Sequence, residues 1–321
     1  MDNPQSVRSN HACHDFNVGG DTRRFNTQER FWGIGGEFQY VECPACKSWS
    51  LYPAPTDEQL TIHYSGYYPS EELEHRQRRP VSALEQARAR QTYRVLKALR
   101  DFTPKDRVLD VGTGCGGFLA ALRAEVDVTV FGCDQNAGSA QIAQKLFNIH
   151  IDIGQFSGLS YPRKSFDLIT LWHCFEHVRL PEETLTQLHD LLNSEGVLVM
   201  EIPTPGFWAR VFKGAWLFLQ APTHLNLFTP EALIEKLNRT GFEIVKVHRP
   251  WSPSEWAGSI LLKLGLTGFM PRVYFGPTRF SDRLWRTLFF ALLPLDLCLT
   301  LLVALCGQSG LLRVYAKPKQ S

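Results

Sequence analysis

The chain has 321 residues, 44% of them hydrophobic and 21% charged, enough apolar material for one large core plus a small appendage and too much for a disordered chain. A formal net charge of +2 with scattered arginines excludes a strongly basic field, so nucleic acid is not an expected partner. The opening MDNPQSVRSN lacks the apolar stretch of a secretory signal, which points to the cytoplasm and to reduced cysteines.

Residues 1–80 are polar, glycine-dotted and aromatic, the texture of a small module held by something other than a core. Here Cys43 and Cys46 have the spacing of one zinc knuckle, and His11, Cys13 and His14 are the upstream residues able to complete a tetrahedral set. Two free surface thiols are the plainer alternative. Cys115, Cys133, Cys174, Cys298 and Cys306 sit in apolar or glycine-rich stretches and read as small buried thiols.

From Val81 to Leu99, apolar residues at 84, 87, 93, 96 and 99 predict an amphipathic helix, and Pro104 separates it from the first strand of the main domain. The pattern then alternates: strand 107–111, helix 117–123, strand 128–134, helix 137–147, a short strand 149–153, strand 166–172, helix 181–192, strand 196–202, helix 230–238 and strand 242–247. Such alternation predicts a parallel sheet covered on both faces, with ligands at the carboxyl ends of its strands. Residues 251–310 break the rhythm. Within them TLFFALLPLDLCLTLLVALC reaches the length of a membrane span, yet Pro294 and Asp296 interrupt it and Arg283 and Arg286 precede it. An interfacial helix or hairpin, a core or dimer surface, and a span are the three readings. A last strand, 312–316, closes the chain.

VLDVGTGCGG, residues 108–117, clusters glycines behind an apolar run, where the backbone must turn tightly or approach a ligand. Gly112, Gly114 and Gly117 fit the dinucleotide pattern GxGxxG, with Asp134 about twenty residues on as the ribose-binding acid, which taken alone reads as NAD. The same loop also reads as GxGxG through Gly116. Asp110 immediately before it would repel a pyrophosphate and suits a ligand carrying an ammonium group.

The order of Asp110, Gly112, Gly114 and Gly116, then Asp134, then SFDLITLWHCFEHV, then LLNSEGVLVMEIPTP resembles the class I S-adenosylmethionine-dependent methyltransferases, from Arg107 to Val247. The resemblance implies an α/β fold with a doubly wound, Rossmann-like, seven-stranded and mostly parallel sheet. It also implies S-adenosylmethionine as cofactor. Asp110 would orient its methionine amino group, the glycines would let the backbone approach, and Asp134 would accept both ribose hydroxyls. An Asp134 that caps helix 137–147 is the structural alternative. Gln155 stands where the family often has an acid facing the adenine amino group, and its amide oxygen can accept the same bond. Phe156 would supply an apolar wall; Trp172 is a second candidate for it, or a core residue.

Methyl transfer is an in-line displacement that needs alignment, and a hydroxyl or acidic carbon acceptor adds the need for a base. His173, Glu176 and His177 fall at the carboxyl end of the fourth strand; His177 or His173 would be the base and Glu176 its partner. A structural helix-start pair and a metal-binding use are the alternatives. His224 resembles the family histidine before the helix after strand five, facing the acceptor or anchoring that loop. VECPACKSWSLYPAPTDEQLTIHYSGYY resembles the N-terminal zinc-binding module of sugar and polysaccharide-locus methyltransferases, with Tyr67 and Tyr68 as candidates to line the acceptor pocket. Lys47 stands where a glycine is common, and HACH replaces the usual first CxxC.

The expected layout is a zinc-ribbon-like module at 1–80, a cofactor-binding domain at 81–250, an apolar helical insertion at 251–310 with a membrane-surface role, and the last strand and tail at 311–321. The expected function is methyl transfer to a hydroxyl, ahead of a carbon, of a sugar or lipid-linked glycan intermediate, with zinc as a second bound group. A quinone or other lipid-like phenol as acceptor, a non-catalytic adaptor and an NAD-binding protein are the alternatives. The expected location is cytoplasmic, peripheral on the inner face of the membrane.

Overall fold

The computed structural model describes residues 22–64, 81–99, 102–268 and 282–319. The chain enters through β1 (Arg23–Gln28), β2 (Glu37–Glu42), β3 (Trp49–Leu51) and α1 (Asp57–Tyr64). Helix α2 (Ala83–Lys97) is opened by a capping box in which Ser82 Oγ accepts from Glu85 N and the Glu85 carboxylate accepts from Ser82 N. Strands and helices then alternate as β4 (Arg107–Val111), α3 (Gly117–Glu125), β5 (Thr129–Asp134), α4 (Ala137–Phe147), β6 (Ile151–Ile153), β7 (Phe166–Trp172), α5 (Pro181–Leu191) and β8 (Leu192–Pro203). Short α6 (Phe207–Phe212) and β9 (Asn226–Leu227) precede α7 (Pro230–Arg239), β10 (Phe242–His248), α8 (Glu255–Lys263), α9 (Asp282–Leu305) and β11 (Leu311–Pro318).

The main sheet has the order β10-β11-β8-β7-β4-β5-β6. Neighbours from β8 to β6 are parallel, while β11 inserts antiparallel between β8 and β10. Side chains alternate by period two, as a strand buried on both faces requires. Leu109, Val111, Ile169 and Leu171 pack toward α5 and α7, whereas Val108, Leu168, Val197 and Val199 pack toward α2, α3 and α4. The chain moves outward from β4 to β6, then crosses back to β7 on the other side of β4. The carboxyl ends of β4 and β7 flank that switch point, where such sheets bind ligands.

The N-terminal strands form a second, antiparallel sheet, β1-β2-β3-β9. Its fourth strand comes from the main domain through the pairs Trp49↔Leu227 and Ser50↔Asn226, so the unit drawn at 1–80 does not close on itself. Cys43 and Cys46 do form a knuckle-like turn, with Lys47 N donating to Cys43 O and Cys43 N donating to Ser48 O. Lys47 has φ +60, which is why glycine suits that position. Among the described residues no third ligand joins the two cysteines in a metal-sized group. His11, Cys13, His14, Tyr67 and Tyr68 lie outside the described residues.

The insertion is an antiparallel pair of helices. Asp296, fully buried on α9, accepts from Ser254 N at 2.6 Å and Ala257 N at 2.8 Å, at the start of α8. Ser254 itself is left-handed with no side-chain cap, so α9 caps α8 from outside. Trp251 Nε1 donates to Thr300 Oγ1 one turn further on. The acid that interrupts the apolar run is thus the tie that fixes α9 to the domain. Asp296→Ala is expected to lower stability by about 3 kcal/mol, because two buried N–H groups lose a charged acceptor; the shift in a thermal melt checks it. Cys298 and Cys306 correct the sequence reading: both are exposed, because they fall on the outward side of α9 and just beyond its end.

Candidate active site

Strand β4 ends at Asp110 and Val111, and the chain turns through Gly112, Gly114 and Gly116 with φ +69, +55 and +74, a region other residues resist. A Cβ at Gly112 would also come within 2.6 Å of Cys174 Sγ. The loop is tied to β5 by Gly112 N and Thr113 N, which both donate to Cys133 O. Asp134, the last residue of β5, accepts from Gly114 N at 2.8 Å through one oxygen and from Asn136 N at 2.9 Å through the other. Helix α4 is capped instead by Asn136, whose Oδ1 accepts from Ser139 N, so Asp134 is not that helix's cap. Each Asp134 oxygen keeps acceptor capacity for a ligand hydroxyl.

Asp110 is buried and accepts from Thr170 Oγ1 at 2.6 Å. Burial pushes its pKa up to about 7, so a cationic ligand group beside it would favour the carboxylate. Past β6, Gly154 N donates to Asp134 O at 3.0 Å, which holds exposed Gln155 and half-buried Phe156 on the same rim. These residues fit a nucleoside bearing an amino-acid tail: a tight glycine turn, a strand-end acid for a ribose, an amide for a base, and a buried acid for an ammonium.

Trp172 does not join them. It is the last residue of β7, 9% exposed, and packs with Val199 and Tyr315 on the α2 and α3 side of the sheet. The Arg88 and Arg313 guanidinium carbons lie 5.2 and 5.1 Å from its ring and Phe118 lies 4.9 Å away, so it is a core residue and not an adenine wall.

After β7 the chain reverses at His173, which has φ +51, into a short turn, Phe175–His177. Glu176 is fully buried. His173 Nδ1 is 3.6 Å and His224 Nε2 3.9 Å from its Oε1. Burial works to raise the Glu176 pKa, but the surrounding histidines outweigh it and hold the carboxylate below its ordinary value. His177 Nδ1 donates to Thr223 O at 2.8 Å, and its ring meets His224 edge-on at 4.8 Å. His224 Nδ1 donates to Phe218 O at 2.8 Å.

Environment separates the three histidines. Burial lowers the pKa of His177, and it pushes that of His224 down to about 3, so His224 is neutral throughout the working range. For His173 burial also works downward, but Glu176 and Glu201 more than offset it and the pKa is raised. A neutral imidazole is the one able to accept a proton, which favours His177 over His173. Glu176, His177 and His224 also bring donor atoms within 4.8 Å of one another, with both histidines oriented by backbone carbonyls, so they are the described residues able to hold a divalent ion.

Sequence reading missed four residues here. Tyr64, at the end of α1, places its Oη 3.4 Å from His177 Nδ1. Arg88 of α2 donates to Glu201 Oε1 at 2.6 Å and lies 2.7 Å from His173 Nε2, and Arg313 of β11 donates to Glu201 Oε2. Glu201 is buried between them and held well below the ordinary carboxylate range despite its burial. A carboxylate inside the apolar strand GVLVMEIP was the available signal, since a buried charge requires partners.

A profile described as methyltransferase domain matches residues 68–247. The chain belongs to this family of class I S-adenosylmethionine-dependent methyltransferases. Membership sets aside the NAD-binding and adaptor readings. The ubiquinone biosynthesis O-methyltransferase of Ruegeria pomeroyi is 28% identical over 167 residues, 48% of this chain and 67% of that protein. The demethylmenaquinone methyltransferase of Thermotoga maritima is 25% identical over 175 residues, 47% of this chain and 76% of that protein. A provisionally named sarcosine dimethylglycine methyltransferase of Galdieria sulphuraria has the same fold, with a TM-score of 0.50 at 13% identity, covering 72% of this chain and 84% of that one.

Proposed function

We propose that this enzyme moves a methyl group from S-adenosylmethionine to a hydroxyl of a lipid-like phenol, with His177 as the base. The observation that carries the reading is the orientation of His177. Its Nδ1 is engaged by the Thr223 carbonyl, which leaves Nε2 as the basic atom, and burial keeps the ring neutral. When bound, the cofactor supplies the electrophilic methyl group. Asp134 accepts the ribose hydroxyls, Gln155 the adenine amino group, and Asp110 pairs with the cationic amino end. Ionised Glu176 stabilises the His177 imidazolium formed as the acceptor hydroxyl gives up its proton. His224 holds the loop over the acid through its bond to Phe218.

The relatives named for ubiquinone and menaquinone synthesis support the acceptor class. A sugar hydroxyl is the second reading, and the Tyr64 hydroxyl 3.4 Å from His177 Nδ1 favours it, since it puts a polar group beside the proposed base. The test is transfer of labelled methyl to a prenylated catechol, a nucleotide sugar and a lipid-linked glycan, with the new methyl located by NMR. Methylation of the phenolic oxygen is expected. Methylation of a sugar alone replaces the acceptor class, and methyl transfer only to carbon overturns the hydroxyl as the acceptor atom.

A further inference from the structure

On an ordinary surface helix the residues facing outward are polar; on α9 they are apolar. The exposed positions Leu284, Phe290, Leu295, Leu301, Leu302 and Leu305 all fall within an arc of about 140° around this 24-residue helix, so they form a single stripe along its roughly 36 Å on the side away from the domain. The opposite side is fixed. Phe289 packs with Leu261 and Leu262 of α8, Asp296 caps α8, and Thr300 accepts from Trp251. At the far end Phe207 N donates to Gln308 O, and β11 begins at Leu311 in the main sheet.

We infer that α9 lies flat on an anionic membrane and docks the enzyme there through its outward apolar stripe. Arg283–Leu305 is long and apolar enough to cross a bilayer, but a span would strip Asp296 from two N–H groups and leave that carboxylate in hydrocarbon. A second copy of the chain fits less well. The stripe offers about 360 Å², taking a helix about 10 Å wide, against about 800 Å² per partner in a standard interface. Charge selects the occupant: Arg283 and Arg286 open the helix, and Lys263 ends the neighbouring α8. Cations beside an apolar stripe suit one leaflet carrying acidic headgroups. The inference stands on this helix and holds for any acceptor.

Flotation of the full chain with vesicles tests it. Wild type is expected to float with phosphatidylcholine vesicles containing phosphatidylglycerol, less with phosphatidylcholine alone, and to be released by alkaline carbonate. Phe290→Glu with Leu302→Glu is expected to cut partitioning on the order of tenfold, with circular dichroism and cofactor binding unchanged. Three results overturn the inference: no flotation of wild type, equal flotation of the double variant, or retention after carbonate, which marks a span. A dimer in light scattering that the two glutamates dissolve, with no vesicle binding, would assign the stripe to a second copy.

Discussion

Asp134→Ala is expected to weaken binding of S-adenosylmethionine on the order of 10²-fold, because we propose the carboxylate at the end of β5 as the charged acceptor for both ribose hydroxyls. The same side chain receives Gly114 N at 2.8 Å, so its loss also loosens the turn that lets the backbone approach the ligand. Asp134→Asn keeps an acceptor and the turn contact and should lose less. Calorimetric titration of the three proteins separates the outcomes. Equal affinity in Asp134→Ala and wild type would remove Asp134 from the cofactor site, since α4 is capped by Asn136 and would stay in place.

His177→Ala is expected to lower kcat by about 10²- to 10⁴-fold, the range of a lost general base, while cofactor affinity stays at the wild-type value. The pH profile supplies a second reading. His177 acts as a base only when neutral, and burial lowers its pKa, so the acidic limb of wild-type kcat/KM should fall below the ordinary histidine value of about 6.5. Activity is therefore lost as pH drops through that lowered value and is retained above it. The limb should vanish from the residual rate of His177→Ala. An acidic limb that survives in the variant would assign the titration to another group, with His173 the nearest candidate.

Much of the main sheet could be read directly from residue order, because strands buried on both faces are continuous apolar runs bounded by glycine, proline and charge. Strand 166–172 and helix 137–147 carry the same limits in the structure as in the sequence. The cofactor loop was legible for a related reason: positive φ at Gly112, Gly114 and Gly116 leaves a glycine spacing that few other needs produce. Contacts between distant segments were not legible. Leu227 pairing with Trp49, Tyr64 approaching His177, and Asp296 capping α8 join residues 39 to 178 positions apart, and no local periodicity encodes them. Trp172, left open between a ligand wall and the core, could not be decided for this reason. At a strand end it looks like a ligand wall, until Arg88 from upstream and Arg313 from the final strand close on its ring.

The measurement that bears most directly on the glycine loop is titration of the purified full chain with S-adenosylmethionine and, separately, with NAD. Saturable binding of S-adenosylmethionine with no heat from NAD is the expected result. Binding of NAD alone would contradict the assignment of Asp110 and Asp134 to a sulfonium cofactor, and binding of neither would separate this loop from nucleoside recognition altogether.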